Sequence, residues 1–203
     1  SICNGDTIQL FANTCGSIND DFDPGIDMQQ WESISNGSSN NDCGAISGKA
    51  LYFDGDVTRE AITKGMDFSS GGIIKFYLKI GSGTAPCEDA DPGEDVVLEY
   101  SINNGSSWNI ITTYNEALYP GFTFISDTIP FAAQTSNTQF RWKQLTHAGS
   151  GWDNWAIDDL EIICFGSGAS SPTYVWIPSA GLSDTTIFNP LANPDFAITY
   201  TVT

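Results

Sequence analysis

The sequence predicts an all-β protein, and three observations carry that expectation. Helical periodicity is nearly absent across the 203 residues. Short runs that alternate polar with apolar side chains, or that are rich in β-branched and aromatic residues, recur instead. Gly, Asn, Asp and Pro stand between them as turn signals. Taken in order, the runs predict strands at 7–12, 50–53, 72–80, 96–102, 108–113, 122–129, 139–144, 155–163, 174–177 and 197–202. The first opens Thr-Ile-Gln-Leu and the second is Ala-Leu-Tyr-Phe. The third sets Phe76, Leu78 and Ile80 against Lys75, Tyr77 and Lys79, the two-residue period of a strand. Asn103-Asn104-Gly105-Ser106 joins the fourth and fifth as a hairpin, because Asn-Gly accepts the positive φ values of a tight turn. The sixth to eighth are built on Phe, Ile and Trp, and the last two on Tyr, Val, Trp and Thr. Residues 81–93 read as a loop, and Gly-Ser-Gly-Ala-Ser-Ser-Pro at 166–172 reads as a flexible joint across which the sequence changes character.

Composition narrows the function. Hydrophobic residues make up 40%, enough for a real core. Twenty-five acidic residues against seven basic ones give a net charge of −18, and Asp dominates. Such a surface repels nucleic acid and anionic membranes, which are bound through stripes of Lys and Arg. It suits divalent cations and an extracellular medium whose salt screens self-repulsion. No apolar run approaches the roughly 20 residues of a membrane span, so no membrane insertion is expected. Ser1 opens without a basic-then-apolar leader, and a mature or excised piece is expected. Cys3, Cys15, Cys43, Cys87 and Cys164 show no Cys-x-x-Cys pair of the zinc type, so disulfides in an oxidising compartment fit them better.

The pattern Trp155-Ala-Ile-Asp-Asp at 155–159 sets adjacent carboxylates on an aromatic-rich strand. Alternation sends one of Asp158 and Asp159 toward apolar surroundings, where a bare charge is costly. A calcium ion held by clustered Asp oxygens is the simplest answer; a solvated strand end is the plain alternative. No catalytic centre is expected. His147 is the sole histidine, in a loop, and no Gly-x-Ser-x-Gly elbow supports a hydrolase. Glu99 and Glu161 are the carboxylates a glycosidase would use, yet both alternate as ordinary outward strand positions do. Most tryptophans belong to the core. Trp152, among Gly, Ser and Asp, is expected to be exposed, where a sugar ring could stack on it with Asp153 and Asn154 as hydrogen-bonding partners.

From Asp20 to Cys164 the order of motifs resembles the repeat domain of reelin and its bacterial relatives. The landmarks are Asp20-Asp21-Phe22, Cys43-Gly44, residues 50–55, Arg59 before Asp67, residues 74–81 and Cys87. They continue through residues 97–101, 104–108, Ile129-Pro130, 138–142 and the run 155–162. The flanks, 2–10 together with 174–183 and 199–203, are similar to an immunoglobulin-like or PKD-like module of the kind found in Bacteroidota surface proteins carried by type IX secretion. The resemblances imply a reelin-like jelly-roll β-sandwich, residues 19–165, inserted into a smaller Ig-like β-sandwich made of 1–18 and 166–203.

The same resemblance implies calcium (Ca2+), with Asp20, Asp21, Asp54, Asp56, Asp158 and Asp159 as candidate ligands meeting from three places in the chain. It pairs Cys43 with Cys87 inside the jelly roll. Cys15 and Cys164 flank the insert and would clamp it, with Cys3–Cys15 as the rival pairing. The expected function is a non-catalytic, secreted, cell-surface adhesion or structural module, stabilised by calcium and disulfides and able to polymerise into a filament. Its expected partners are other protein subunits or surface-protein modules. A carbohydrate-binding jelly-roll module that takes glycans is the alternative.

Overall fold

The computed structural model describes residues 8–9, 16–81, 83–165, 175–186 and 190–203. Two compact units make up the chain: Cys15–Gly166, and Ser1–Thr14 together with Ser167–Thr203. The strands are β1 Ile8–Gln9, β2 Ser17–Asp20, β3 Trp31–Ser35, β4 Gly37–Asn40, β5 Ala50–Phe53, β6 Glu60–Thr63, β7 Gly72–Ile80 and β8 Val96–Ser101. They continue with β9 Asn109–Tyr114, β10 Thr123–Thr128, β11 Gln139–Gln144, β12 Trp155–Cys164, β13 Trp176–Ile177, β14 Leu191–Ala192 and β15 Thr201–Val202. Single 3₁₀ turns at Glu116–Leu118 and Phe131–Ala133 are the helical segments among the described residues. None of these is long and apolar enough to cross a membrane.

The larger unit is a jelly-roll sandwich of antiparallel sheets. One sheet runs β10-β7-β12-β5-β4, with β2 joining β12 beyond the end of β5. The other runs β3-β6-β11-β8-β9. Strand β7 shows why they stack. Its Ile74, Phe76, Leu78 and Ile80 are buried while Ile73, Lys75, Tyr77 and Lys79 on the other face are only half so. Between the sheets, Trp31, Trp142 and Phe76 meet edge to face, and Phe53 stacks on Trp155 with centroids 3.9 Å apart.

Two features of this sheet position the acids. Strand β12 carries a bulge between Asp158 and Glu161 against β7, with Asp159 at φ +47°. Ile157 and Leu160 therefore both face the core, and the two aspartates absorb the extra residue. Outside the sheet, a smaller cluster of Cys43, Ala50, Tyr52, Cys87 and Ala156 is covered by the segment around Cys43, clipped down by a Cys43–Cys87 disulfide with Cα atoms 4.7 Å apart. Lys79 Nζ donates to the Cys43 carbonyl at 2.7 Å and fixes the same segment to β7.

In the smaller unit β1 pairs β14 and β13 pairs β15, all antiparallel, around buried Trp176 and Ala192. Cys3 and Cys15 lie outside the described residues, and so does the expected Cys15–Cys164 pairing; Cys164 itself is disulfide-bonded. Residues 7, 10–12 and 174 of the expected strands lie outside them as well.

Candidate functional site

The loops β5–β6 and β11–β12 meet at one end of the sandwich around Arg59, which is 0% exposed. A buried guanidinium must place its donors on oxygens or forfeit its solvation. Arg59 does so completely. Nε and Nη2 donate to Gly55 O at 3.1 and 3.0 Å, Nη2 to Gly149 O at 2.7 Å, and Nη1 to Trp152 O, Asp153 O and Gln144 Oε1 at 3.0, 2.7 and 3.0 Å. The Asp54 carboxylate lies 3.6 Å away. Burial pulls the pKa of Arg59 down, and the neighbouring Asp54 and Asp153 carboxylates oppose that shift.

The backbone of the 148–154 loop is equally well held. Asp56 accepts from Ser150 N at 2.8 Å, Asp54 from Gly151 N at 2.6 Å, and Glu88 from Asp153 N at 2.7 Å. Asn154 N donates to Glu88 O at 3.1 Å, and Ala148 N donates to Asp153 Oδ2. Asp153 sits at φ +52°, a left-handed conformation that these bonds over-determine. On this fixed frame Trp152 stands 56% exposed, whereas Trp31, Trp142 and Trp155 are no more than 1% exposed.

Asp153 and Asn154 require a correction. Sequence reasoning offered them to a sugar, but they are 3% and 0% exposed. Their side-chain oxygens serve the junction instead: Asn154 Oδ1 accepts from Glu88 N at 3.1 Å, and the Asp153 carboxylate accepts from Ala148 N and touches Glu94. Burial and that like-charged neighbour push the Glu94 carboxyl up to about 7. His147 lies beside this junction; burial, then Arg59, lowers its pKa, so it is neutral at neutral pH.

The six candidate metal ligands fall into two places. Asp20 is paired with Leu160, so Asp20 and the following Asp21 come to the end of β2 next to the β12 bulge that carries Asp158 and Asp159. Asp54 and Asp56 are at the far end of β5, where Phe53 pairs with Trp155. Most of these carboxylates are occupied by N–H donors. Asp20 accepts from Phe22 N, Asp27 N and Trp31 Nε1 at 3.0, 3.2 and 2.8 Å. Asp158, 0% exposed, accepts from Ile46 N and Asp159 N at 2.6 and 2.8 Å, and burial pushes it up to about 6. Among the described residues no three acidic, histidine or cysteine side chains form a group that could hold a metal ion.

Both suspected glycosidase carboxylates are in ion pairs. Glu99 lies 2.6 Å from Arg141, whose guanidinium stacks on Trp108 at 4.3 Å, and Glu161 lies 3.1 Å from Lys75. Sequence reasoning saw Arg59 only as a family landmark. Its one compositional signal was a rare arginine, one of two in the chain, within five residues of Asp54 and Asp56.

Antiparallel two-sheet stacking with a loop-borne aromatic at one end defines a jelly-roll β-sandwich module. The family described as Reelin subrepeat B matches residues 36–163, more than half of the sequence, and the chain belongs to that family. The match begins after Asp20-Asp21-Phe22, so that landmark stands outside it. Among solved structures, the cleaved adhesin domain of Lys-gingipain from Porphyromonas gingivalis is similar at TM-score 0.56 and 14% identity, over 74% of this chain and 99% of that one. The CBM27-1 module of Caldicellulosiruptor saccharolyticus, solved with mannohexaose, is similar at TM-score 0.47 and 16% identity, over 74% of this chain and 98% of that one.

Proposed function

We propose that the chain is a non-catalytic, extracellular adhesion module whose contact residue is Trp152. One observation carries this reading: an exposed tryptophan on a loop whose amides from 150 to 154 are all hydrogen-bonded and whose carbonyls converge on buried Arg59. A rigid aromatic loses little conformational freedom on binding, which is why such residues dominate interface energetics. The Cys43–Cys87 disulfide supports an oxidising, extracellular setting. The gingipain domain that shares the fold is an adhesin by name, and we extend that reading to this chain. Secretion by a type IX route, an Ig-like fold for the smaller unit and assembly with other surface modules belong to the same proposal.

Beads coated with the module test it. They should attach to surfaces coated with the partner's protein extract, and Trp152→Ala should reduce attachment several-fold with Tm unchanged. Equal attachment by the two proteins would remove Trp152 from the account. Oligosaccharide-coated surfaces test the glycan alternative, which the exposed indole favours and the burial of Asp153 and Asn154 disfavours. Turnover of a polysaccharide that is lost with Glu99→Gln would contradict the non-catalytic reading.

Calcium enters the proposal at the β12 bulge. Asp21 and Asp159 are the carboxylates there not already shared among several N–H donors, and calcium's remaining ligands would come from backbone carbonyls and water. The expected outcome is a Tm that rises with added calcium and falls with chelator. At a hundredfold excess over Kd the increment is about 2.7 kcal/mol. Asp159→Asn should abolish that increment and Asp56→Asn should leave it intact.

A further inference from the structure

Resting on the recognition loop just proposed, the kind of partner can be read from charge. Trp152 and Val57 are 56% and 67% exposed on the two loops that Arg59 joins. Acids surround them. Asp56 is exposed beside Val57 and holds Ser150; the Asp54 side chain is 32% exposed and holds Gly151. Exposed Asp89 and Asp91 lie on the loop that carries Glu88, which binds Asp153 N. The positive charge at this end is turned inward: Arg59 is 0% exposed with its donors on carbonyl oxygens, and His147 is neutral. Asp54 is already 3.6 Å from Arg59, which leaves the exposed Asp56 carboxylate, bound to Ser150 N two residues from Trp152, as the charge that with the exposed indole attracts an organic cation. The net charge of −18 adds long-range steering toward a basic partner.

We propose that the Trp152 loop docks a basic segment of a partner protein, with an arginine or lysine side chain over the indole and Asp56 as its counter-charge. Docking leaves Arg59 in place, because the guanidinium is committed to the loop's own carbonyls.

The test is a calorimetric titration of the full chain with N-acetylated tetra-arginine amide, with tetra-glutamate as control, a readout that does not depend on Trp152 itself. Binding should weaken about threefold to fivefold in Trp152→Ala, the contribution of an exposed cation–π contact. Asp56→Asn should weaken it about twofold, Asp67→Asn, beyond the opposite end of β6 from Arg59, should leave it unchanged, and salt should weaken it throughout. Equal affinity in the wild type and Trp152→Ala would show general attraction to an acidic surface and overturn the proposal. Trp152-dependent binding of mannohexaose, with none of tetra-arginine, would overturn the cationic partner and leave the recognition loop standing. No binding of either probe, with bead attachment indifferent to Trp152→Ala, would bring down both.

Discussion

Arg59 does with one side chain what a bound cation would do at the same junction: it gathers carbonyl oxygens from two loops and fixes their separation. The charge arrives with the chain, so the loop holding Trp152 is set without a ligand. Arg59→Met is therefore expected to strand several carbonyls and lower stability by about 3 kcal/mol or more in urea unfolding, with Arg59→Lys recovering only part of it. The pair Glu94 and Asp153 adds a pH dependence. Ordinary glutamate ionises near 4.5, and here Glu94 is held near 7. Between those values the folded protein keeps a proton that the unfolded chain has released. The stabilisation is present at the acidic end and lost as pH rises through 7. Calorimetry should show Tm falling from about pH 5 to about pH 8, and Glu94→Gln should flatten that stretch.

At the scale of elements, alternation was enough to locate β7 and β11 at Gly72–Ile80 and Gln139–Gln144, and a continuous apolar run located β5 at Ala50–Phe53. Five strands left no such mark. Gly-Ser-Ser-Asn in β4 has no apolar residue, and it is a strand only because its backbone pairs with β5 at the sheet edge. The others, β2, β3, β6 and β14, are two to five residues long, too short for a period to register. The bulge in β12 was equally hidden. Asp158-Asp159 announced an awkward pair of charges, but N–H donors supplied by folding, from Ile46 and from Asp159 itself, answer the buried one. The segment that brings Ile46 there is held by Cys43–Cys87. Replacing both cysteines by Ala should cost about 2–4 kcal/mol. Amide exchange should then rise first at Ile46, the donor to Asp158.

For the molecule as a whole, the fold class and the exposure of Trp152 were readable because both follow from local pattern. The junction around Arg59 was not, because its partners are backbone carbonyls, which every residue has and no sequence displays. The resulting proposal is a sandwich whose sheets are scaffolding and whose recognition loop lies at one end. Its most direct test is hydrogen exchange on the module bound to a surface it attaches to, compared with the free module. Added protection is predicted at residues 145–153 and around Val57, with the outer strands β4 and β10 unchanged. Protection confined to β4 or β10, with residues 145–153 unaltered, would contradict it.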